Sequence, residues 1–126
     1  MSGKILVVDD DRDIRETLVE ALESEGYDVI SAVDGIDALE LLRSQEQSPS
    51  LILLDLMMPR MNGMEFWQEI ARVETWARIP IVVVSANAQG RAHAETMGAV
   101  GYLRKPMQLR ELFGAVAQFV AKGAYS

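Results

Sequence analysis

The chain contains no cysteine. That excludes a disulfide framework and a thiolate metal site, and it fits the cytoplasm, where this chain is expected. Histidine is nearly absent too. A single one, His93, is too few for a multi-histidine metal centre. No apolar run approaches the roughly 18 residues that cross a bilayer, so no membrane span is expected. The opening Met-Ser-Gly-Lys leads directly into an apolar strand, without the hydrophobic region and cleavage site of a signal peptide. Basic charge is scarce: 12 Lys and Arg stand against 19 Asp and Glu, a net charge of −7. Nucleic-acid binding usually rests on a basic patch, so this domain is not expected to contact nucleic acid directly.

What is present is the composition of an ordinary globular protein, 49% hydrophobic and 25% charged over 126 residues. That length suits a single domain over 1–126. The strongest local signal is Ser50 to Pro59, SLILLDLMMP. Leu51 to Leu54 is an unbroken apolar run bounded by turn residues, the pattern of a strand buried on both faces. It ends on Asp55, a carboxylate at the lip of the core, where an unpaired charge is costly. Pro59 and Asn62-Gly63 stop anything regular from continuing.

Elsewhere, strand and helix patterns alternate. Ile5–Val8 is a second continuous apolar run, closed by Asp9, Asp10 and Asp11. A helix follows with Ile14, Leu18, Ala21 and Leu22 on one face, and Gly26 just past its end. Tyr27–Ala32 is a partly polar strand suited to a sheet edge. A helix from Gly35 sets Ala38, Leu41 and Leu42 on one face. Phe66, Ile70 and Val73 mark a third helix. Ile79–Val84 is a β-branched strand, with Pro80 near its start. Ala88–Met97 is a weaker helix ended by Gly98, Val100–Leu103 is a short strand, and Leu109, Leu112, Phe113, Val116 and Val120 stripe the last helix. Five strand–helix repeats predict an α/β fold, a doubly wound five-stranded parallel sheet with helices on both faces. The tail after Ala121 is expected to fray.

In such sheets ligands bind outside the carboxyl ends of the strands. Those ends carry Asp9, Asp10 and Asp11, then Asp55, Ser85 and Lys105. Alone, each has an ordinary explanation: a helix cap, a turn serine, a solvated loop lysine. Together they bring acids, a hydroxyl and an ammonium to one rim. Clustered carboxylates are hard-oxygen ligands suited to Mg²⁺, and a hydroxyl and lysine beside them suit a phosphoryl group.

With ILVVDDD, LILLDLMMPRMNG, IPIVVVSA and GYLRKP in this order, the chain resembles the receiver domain of two-component response regulators, the family of the bacterial chemotaxis regulator. The similarity covers nearly all of the sequence. It implies the flavodoxin-like strand order 2-1-3-4-5 and phosphorylation of Asp55 from the phosphohistidine of a sensor kinase or a histidine phosphotransfer protein. By the same resemblance Asp10, Asp55 and the backbone carbonyl of Met57 would hold Mg²⁺, with Asp9 acting through a bound water. Ser85 and Lys105 would contact the phosphoryl group, and the Lys105–Pro106 peptide would be cis. Tyr102 would be the switch residue that follows Ser85. Met57 and Asn87 would flank the hydrolytic water and set the lifetime of the phosphoryl group. A downstream protein would meet the face made by the fourth helix, the fifth strand and the last helix. The domain would be a phospho-acceptor, capable of self-phosphorylation from small donors and of autodephosphorylation, rather than an enzyme. The short tail favours a standalone regulator.

Two other readings compete. A haloacid-dehalogenase-like phosphatase would use Asp9 as nucleophile with Asp11, but Asp13 stands where that motif wants Thr or Val, and the paired late acids and cap insertion are missing. An interaction domain that never takes phosphate would leave the complete constellation without a purpose. Finally, three carboxylates on one rim predict, through like-charge repulsion, at least one raised pKa.

Overall fold

The computed structural model describes residues 3–121, and its centre is the strand formed by the apolar run. The elements are β1 (Lys4–Val8), α1 (Arg12–Ser24), β2 (Asp28–Ala32), α2 (Gly35–Ser44), β3 (Leu51–Leu54), α3 (Gly63–Ile70), α4 (Glu74–Ala77), β4 (Ile81–Ser85), α5 (Gly90–Met97), β5 (Gly101–Arg104) and α6 (Leu109–Ala117). All strand pairs are parallel, in the order β2-β1-β3-β4-β5, as expected. The expected tail lies outside the described residues.

Every residue of β3 is buried, and alternation sends its side chains to opposite layers. Ile52 and Leu54 join Leu6, Val8 and Val83 beneath α2, α3 and α5, where Leu42, Phe66 and Met97 pack. Leu51 and Leu53 join Ile5, Val7, Val82 and Val84 beneath α1 and α6, against Leu18, Leu22, Leu112 and Val116. Two dry layers therefore meet on one sheet. A side chain such as Leu53, 1% exposed, is worth roughly 2–5 kcal/mol against alanine. Strand β2 pairs on one side only, which explains its mixed polarity.

Local chemistry fixes the helix ends. Asp11 caps α1, its side chain accepting from the Ile14 N–H, and Asn62 with Glu65 forms a capping box on α3. Gly26 and Gly98 take positive φ angles of 91° and 67° just beyond α1 and α5.

Several expectations need correction. Val73 is not in the third helix, which ends at Ile70; it precedes the separate short helix α4 and is 37% exposed. Helix α2 buries Leu39 rather than Leu41, which is only half-buried. Leu109 starts α6 but is 47% exposed, so the stripe faces inward only from Leu112, and the helix ends at Ala117, leaving Val120 buried but beyond it. Pro80 lies before β4, not within it, consistent with its missing N–H. Tyr27 and Val100 each fall just outside their strands, and the fourth predicted helix, α5, begins at Gly90 rather than Ala88.

Candidate functional site

The order β2-β1-β3 makes β1 and β3 neighbours with crossovers leaving in opposite directions, so a crevice opens at their carboxyl ends. Asp9 and Asp10 follow β1, Asp55 follows β3, Ser85 ends β4 and Lys105 follows β5. The sheet thus brings together the residues the sequence singles out. Asp9, Asp10 and Asp55 each offer a carboxylate oxygen within 4.8 Å of the others. Asp9 and Asp55 are buried, at 2% and 5% exposure, whereas Asp10 faces solvent. Asp11 stands apart as the cap of α1.

Asp9 is the anchored member. One carboxylate oxygen accepts the Asp11 N–H at 2.9 Å and the other accepts Lys105 Nζ at 2.7 Å. Arg15 donates from its guanidinium to the Asp9 backbone carbonyl at 2.8 Å. Asp55 is held more loosely. It accepts the Met57 N–H at 3.3 Å, and Lys105 Nζ stands 3.6 Å away.

Burial pushes the Asp55 carboxyl up to about 6, and the neighbouring Asp9 charge adds to it; Lys105 and the Met57 N–H pull the other way. Asp10 contributes least to the rise. The expected raised pKa is present, but desolvation leads and repulsion follows. Burial works against the Lys105 charge, yet the hydrogen bond it donates to Asp9 and the charges of Asp55 and Asp9 hold its pKa above the usual lysine value.

Ser85 is fully buried, and its Oγ accepts the Asn87 N–H at 3.0 Å. Its proton remains available for an oxygen at the rim. Asn87 reaches across the mouth, its Nδ2 donating to the Met57 sulfur at 3.3 Å. Met57 and Asn87 thus stand together over the crevice. The Lys105–Pro106 peptide is cis. Tyr102, on β5, lies half-buried against Gly90, where an added Cβ would come within 2.8 Å of its ring. Arg91 covers the ring at 5.0 Å from its centroid.

One part of the site is not singled out by the sequence reading. Arg60, two residues before Asn62, has φ 63° and donates from Nε to the buried Asp34 at 2.6 Å. Asp34 also caps α2, accepting the Asp37 N–H at 2.9 Å. The Gly35 N–H meets the Met61 carbonyl at 3.0 Å. These contacts fasten the β3–α3 loop, which carries Met57, to the start of α2. Gly63 lets α3 approach Asp55: a Cβ there would fall 2.5 Å from the Asp55 carbonyl oxygen.

A family model described as the response regulator receiver domain matches residues 5–117. Among curated proteins, the response regulator MprA of Mycobacterium ulcerans is 42% identical over 114 residues, which cover 89% of this chain and 47% of that protein. The chain therefore spans about half the length of the curated relatives it matches. Among solved structures, the response regulator TrrA of Thermotoga maritima in complex with Mg²⁺-BeF superposes with a TM-score of 0.80 at 33% identity, covering 92% of this chain and 97% of that one. The phosphorylated cyanobacterial phytochrome response regulator RcpA gives a TM-score of 0.78 at 31% identity, covering 94% of this chain and 91% of that one.

Proposed function

The chain belongs to the family of response regulator receiver domains, and on that premise we propose that residues 1–126 form one such domain, which takes a phosphoryl group from a histidine kinase or histidine phosphotransfer protein onto Asp55. A receiver is a signalling domain rather than a classical enzyme. The observation that carries the reading is the convergence of Asp9, Asp10 and Asp55 with Lys105 at the ends of three parallel strands.

The three carboxylates fit Mg²⁺, a hard cation that takes oxygen ligands. Asp10, Asp55 and the Met57 backbone carbonyl would hold it directly, and Asp9 through a water. When bound, Mg²⁺ supplies positive charge that neutralises phosphoryl oxygens. The side chains do the rest. Asp55, with its carboxyl at about 6, is mostly ionised at neutral pH and attacks phosphorus. An O–P bond forms as the donor's N–P bond breaks, giving an acyl phosphate. Lys105 meets one phosphoryl oxygen, and the Ser85 hydroxyl, already fixed as an acceptor by the Asn87 N–H, donates to another. Phosphorylation from small donors and self-dephosphorylation follow from the same groups, with Met57 and Asn87 beside the hydrolytic water.

A groove of about 450 Å³ between Ile14 and Leu18 of α1 and Pro106, Met107 and Leu109 opens beside Lys105, and supports docking of the phosphoryl donor there. The signal leaves through the face of α5, β5 and α6, with Tyr102 as the relay from Ser85, to a downstream protein. The cytoplasm is the proposed location. No helix among the described residues is long and apolar enough to cross a membrane.

The test is incubation with Mg²⁺ and a small phosphodonor, followed by mapping of the modified residue. Label is expected on Asp55 and absent from Asp55→Asn. Label on Asp9 would favour the phosphatase-like reading, and no label at all would leave an interaction domain.

A further inference from the structure

Met57 is unlike the other methionines. The chain has seven, and no cysteine to take up oxidants in their place. Among the described residues Met57 alone is exposed, at 61%; Met58 and Met97 are buried, and Met61, Met64 and Met107 are half-buried. Its sulfur is not loose in solvent. It is held at the mouth of the acidic crevice, 3.3 Å from the Asn87 amide nitrogen that donates to it, two residues beyond Asp55. An accessible thioether thus stands next to the carboxylate that carries the chemistry, with a hydrogen-bond donor already aimed at it.

Methionine sulfoxide is a polar group with a strong acceptor oxygen, where the thioether is a weak acceptor. We propose that Met57 is an oxidation site, through which peroxide-class oxidants shorten the lifetime of the phosphoryl group on Asp55. The step balances. A sulfur lone pair attacks one peroxide oxygen, and the S–O bond forms as the O–O bond breaks. The other oxygen takes the transferred proton and leaves as water. Sulfur loses two electrons and the peroxide gains them.

The consequence rests on the reading of Asp55 as phospho-acceptor. As a thioether, Met57 gives the hydrolytic water nothing strong to bond. As a sulfoxide, it presents an oxygen that accepts from that water, on a side chain tied by the Asn87 amide. A water oriented next to the phosphoryl group is a better nucleophile. The expected gain in dephosphorylation rate is about fivefold, the size of one added net hydrogen bond. Reduction of the sulfoxide by a methionine sulfoxide reductase reverses the change.

The experiment has two readouts on the full chain. Dilute hydrogen peroxide is applied and methionine oxidation is followed by peptide mass spectrometry. Dephosphorylation is then timed with Mg²⁺ before oxidation, after it, and after treatment with the reductase. Met57 is expected to gain oxygen before every other described methionine, dephosphorylation to quicken, and the reductase to restore the original rate. Met57→Leu is expected to make the rate indifferent to peroxide. Oxidation of Met57 no faster than that of buried Met97 overturns the proposal. So does an unchanged lifetime in protein oxidised at Met57, or an undiminished peroxide response in Met57→Leu. Failure of Asp55 to accept phosphate before any peroxide is added overturns the phospho-acceptor reading itself, and this proposal with it; that outcome is recognisable because it precedes the oxidation.

Discussion

Lys105 sits nearer to Asp9 than to Asp55: its Nζ is 2.7 Å from Asp9 Oδ2 and 3.6 Å from Asp55 Oδ2. The ammonium of the crevice is therefore committed first to a carboxylate that already accepts a backbone N–H. Asp55 receives the weaker share. That division explains why its carboxyl, pushed up by burial and then by Asp9, is not brought back to the ordinary range.

A pH dependence of stability follows. The Asp55 carboxyl rises from 3.8 to about 6 on folding. Between those values the folded state binds more protons than the unfolded one, so this group makes stability fall as pH rises through the window. The penalty is complete above about 6 and relieved below 3.8. Asp55→Asn should raise metal-free stability at neutral pH by about 1–2 kcal/mol, allowing for solvent screening at the rim, and should flatten that window. Urea denaturation of both proteins across the pH range checks it. A less stable Asp55→Asn protein at neutral pH would contradict it.

The Arg60–Asp34 pair gives a second expectation, with the opposite sign. Burial raises the Asp34 carboxyl, but the Arg60 hydrogen bond, the Asp37 N–H, the Arg60 charge and the Ile36 N–H together hold it below its ordinary value. Its contribution to stability is present above the unfolded pKa of 3.8 and is lost as pH falls through the lower folded pKa. Asp34→Ala should cost about 1–2 kcal/mol through the lost helix cap. At Arg60, alanine loses the ion pair and keeps the left-handed backbone, whereas glycine relieves that strain. Arg60→Ala should therefore be less stable than Arg60→Gly in thermal denaturation. The reverse order would mean that the backbone at Arg60 is unstrained.

The difference between these two features shows what a sequence makes legible. Asp9, Asp55, Ser85 and Lys105 are readable because each follows or ends an apolar run, and the parallel sheet places every such end on one rim. The sheet order is legible only through resemblance, and so is the pairing of Met57 with Asn87, which no local pattern announces across 30 residues. Arg60 and Asp34 belong to two loops 26 residues apart, and neither lies on a periodic face. The short helix α4 leaves no mark in the sequence because its four residues are too few to show a period. Leu109 shares the apolar spacing yet is exposed, because spacing identifies a stripe without saying where the layer above the sheet ends.

Gly90 tests the Tyr102 relay. A methyl group at this position would come within 2.8 Å of Tyr102 Cε1 and 3.0 Å of its hydroxyl oxygen. The ring must then leave its place, taking with it the contact to Arg91. Gly90→Ala should change the resonances of Tyr102 in the unphosphorylated protein and shrink the further change produced by phosphorylation, while phosphorylation of Asp55 persists. Retention of the full phosphorylation-dependent shift at Tyr102 would remove the ring from the relay.

Metal addition separates Asp10 from Asp55. Both belong to the carboxylate cluster, but Asp10 is exposed and adds the least to the raised pKa of Asp55. Its removal should therefore relieve little repulsion, and the metal-free stability of Asp10→Asn should differ from wild type by less than that of Asp55→Asn. A cation that binds the folded cluster and not the unfolded chain stabilises the fold by mass action, by about 1.4 kcal/mol at ten times its dissociation constant. For a domain of this size that is a rise in melting temperature of roughly 4–7 °C. Wild type should show this rise on addition of Mg²⁺ and lose it on chelation, and Asp10→Asn should show much less of it at the same Mg²⁺ concentration. Thermal denaturation of wild type, Asp10→Asn and Asp55→Asn, with Mg²⁺ and with chelator, reads both comparisons at once. If Asp10→Asn keeps the full Mg²⁺ response, the cation is held by the buried pair Asp9 and Asp55 without the exposed carboxylate, and Asp10 is a rim charge rather than a ligand.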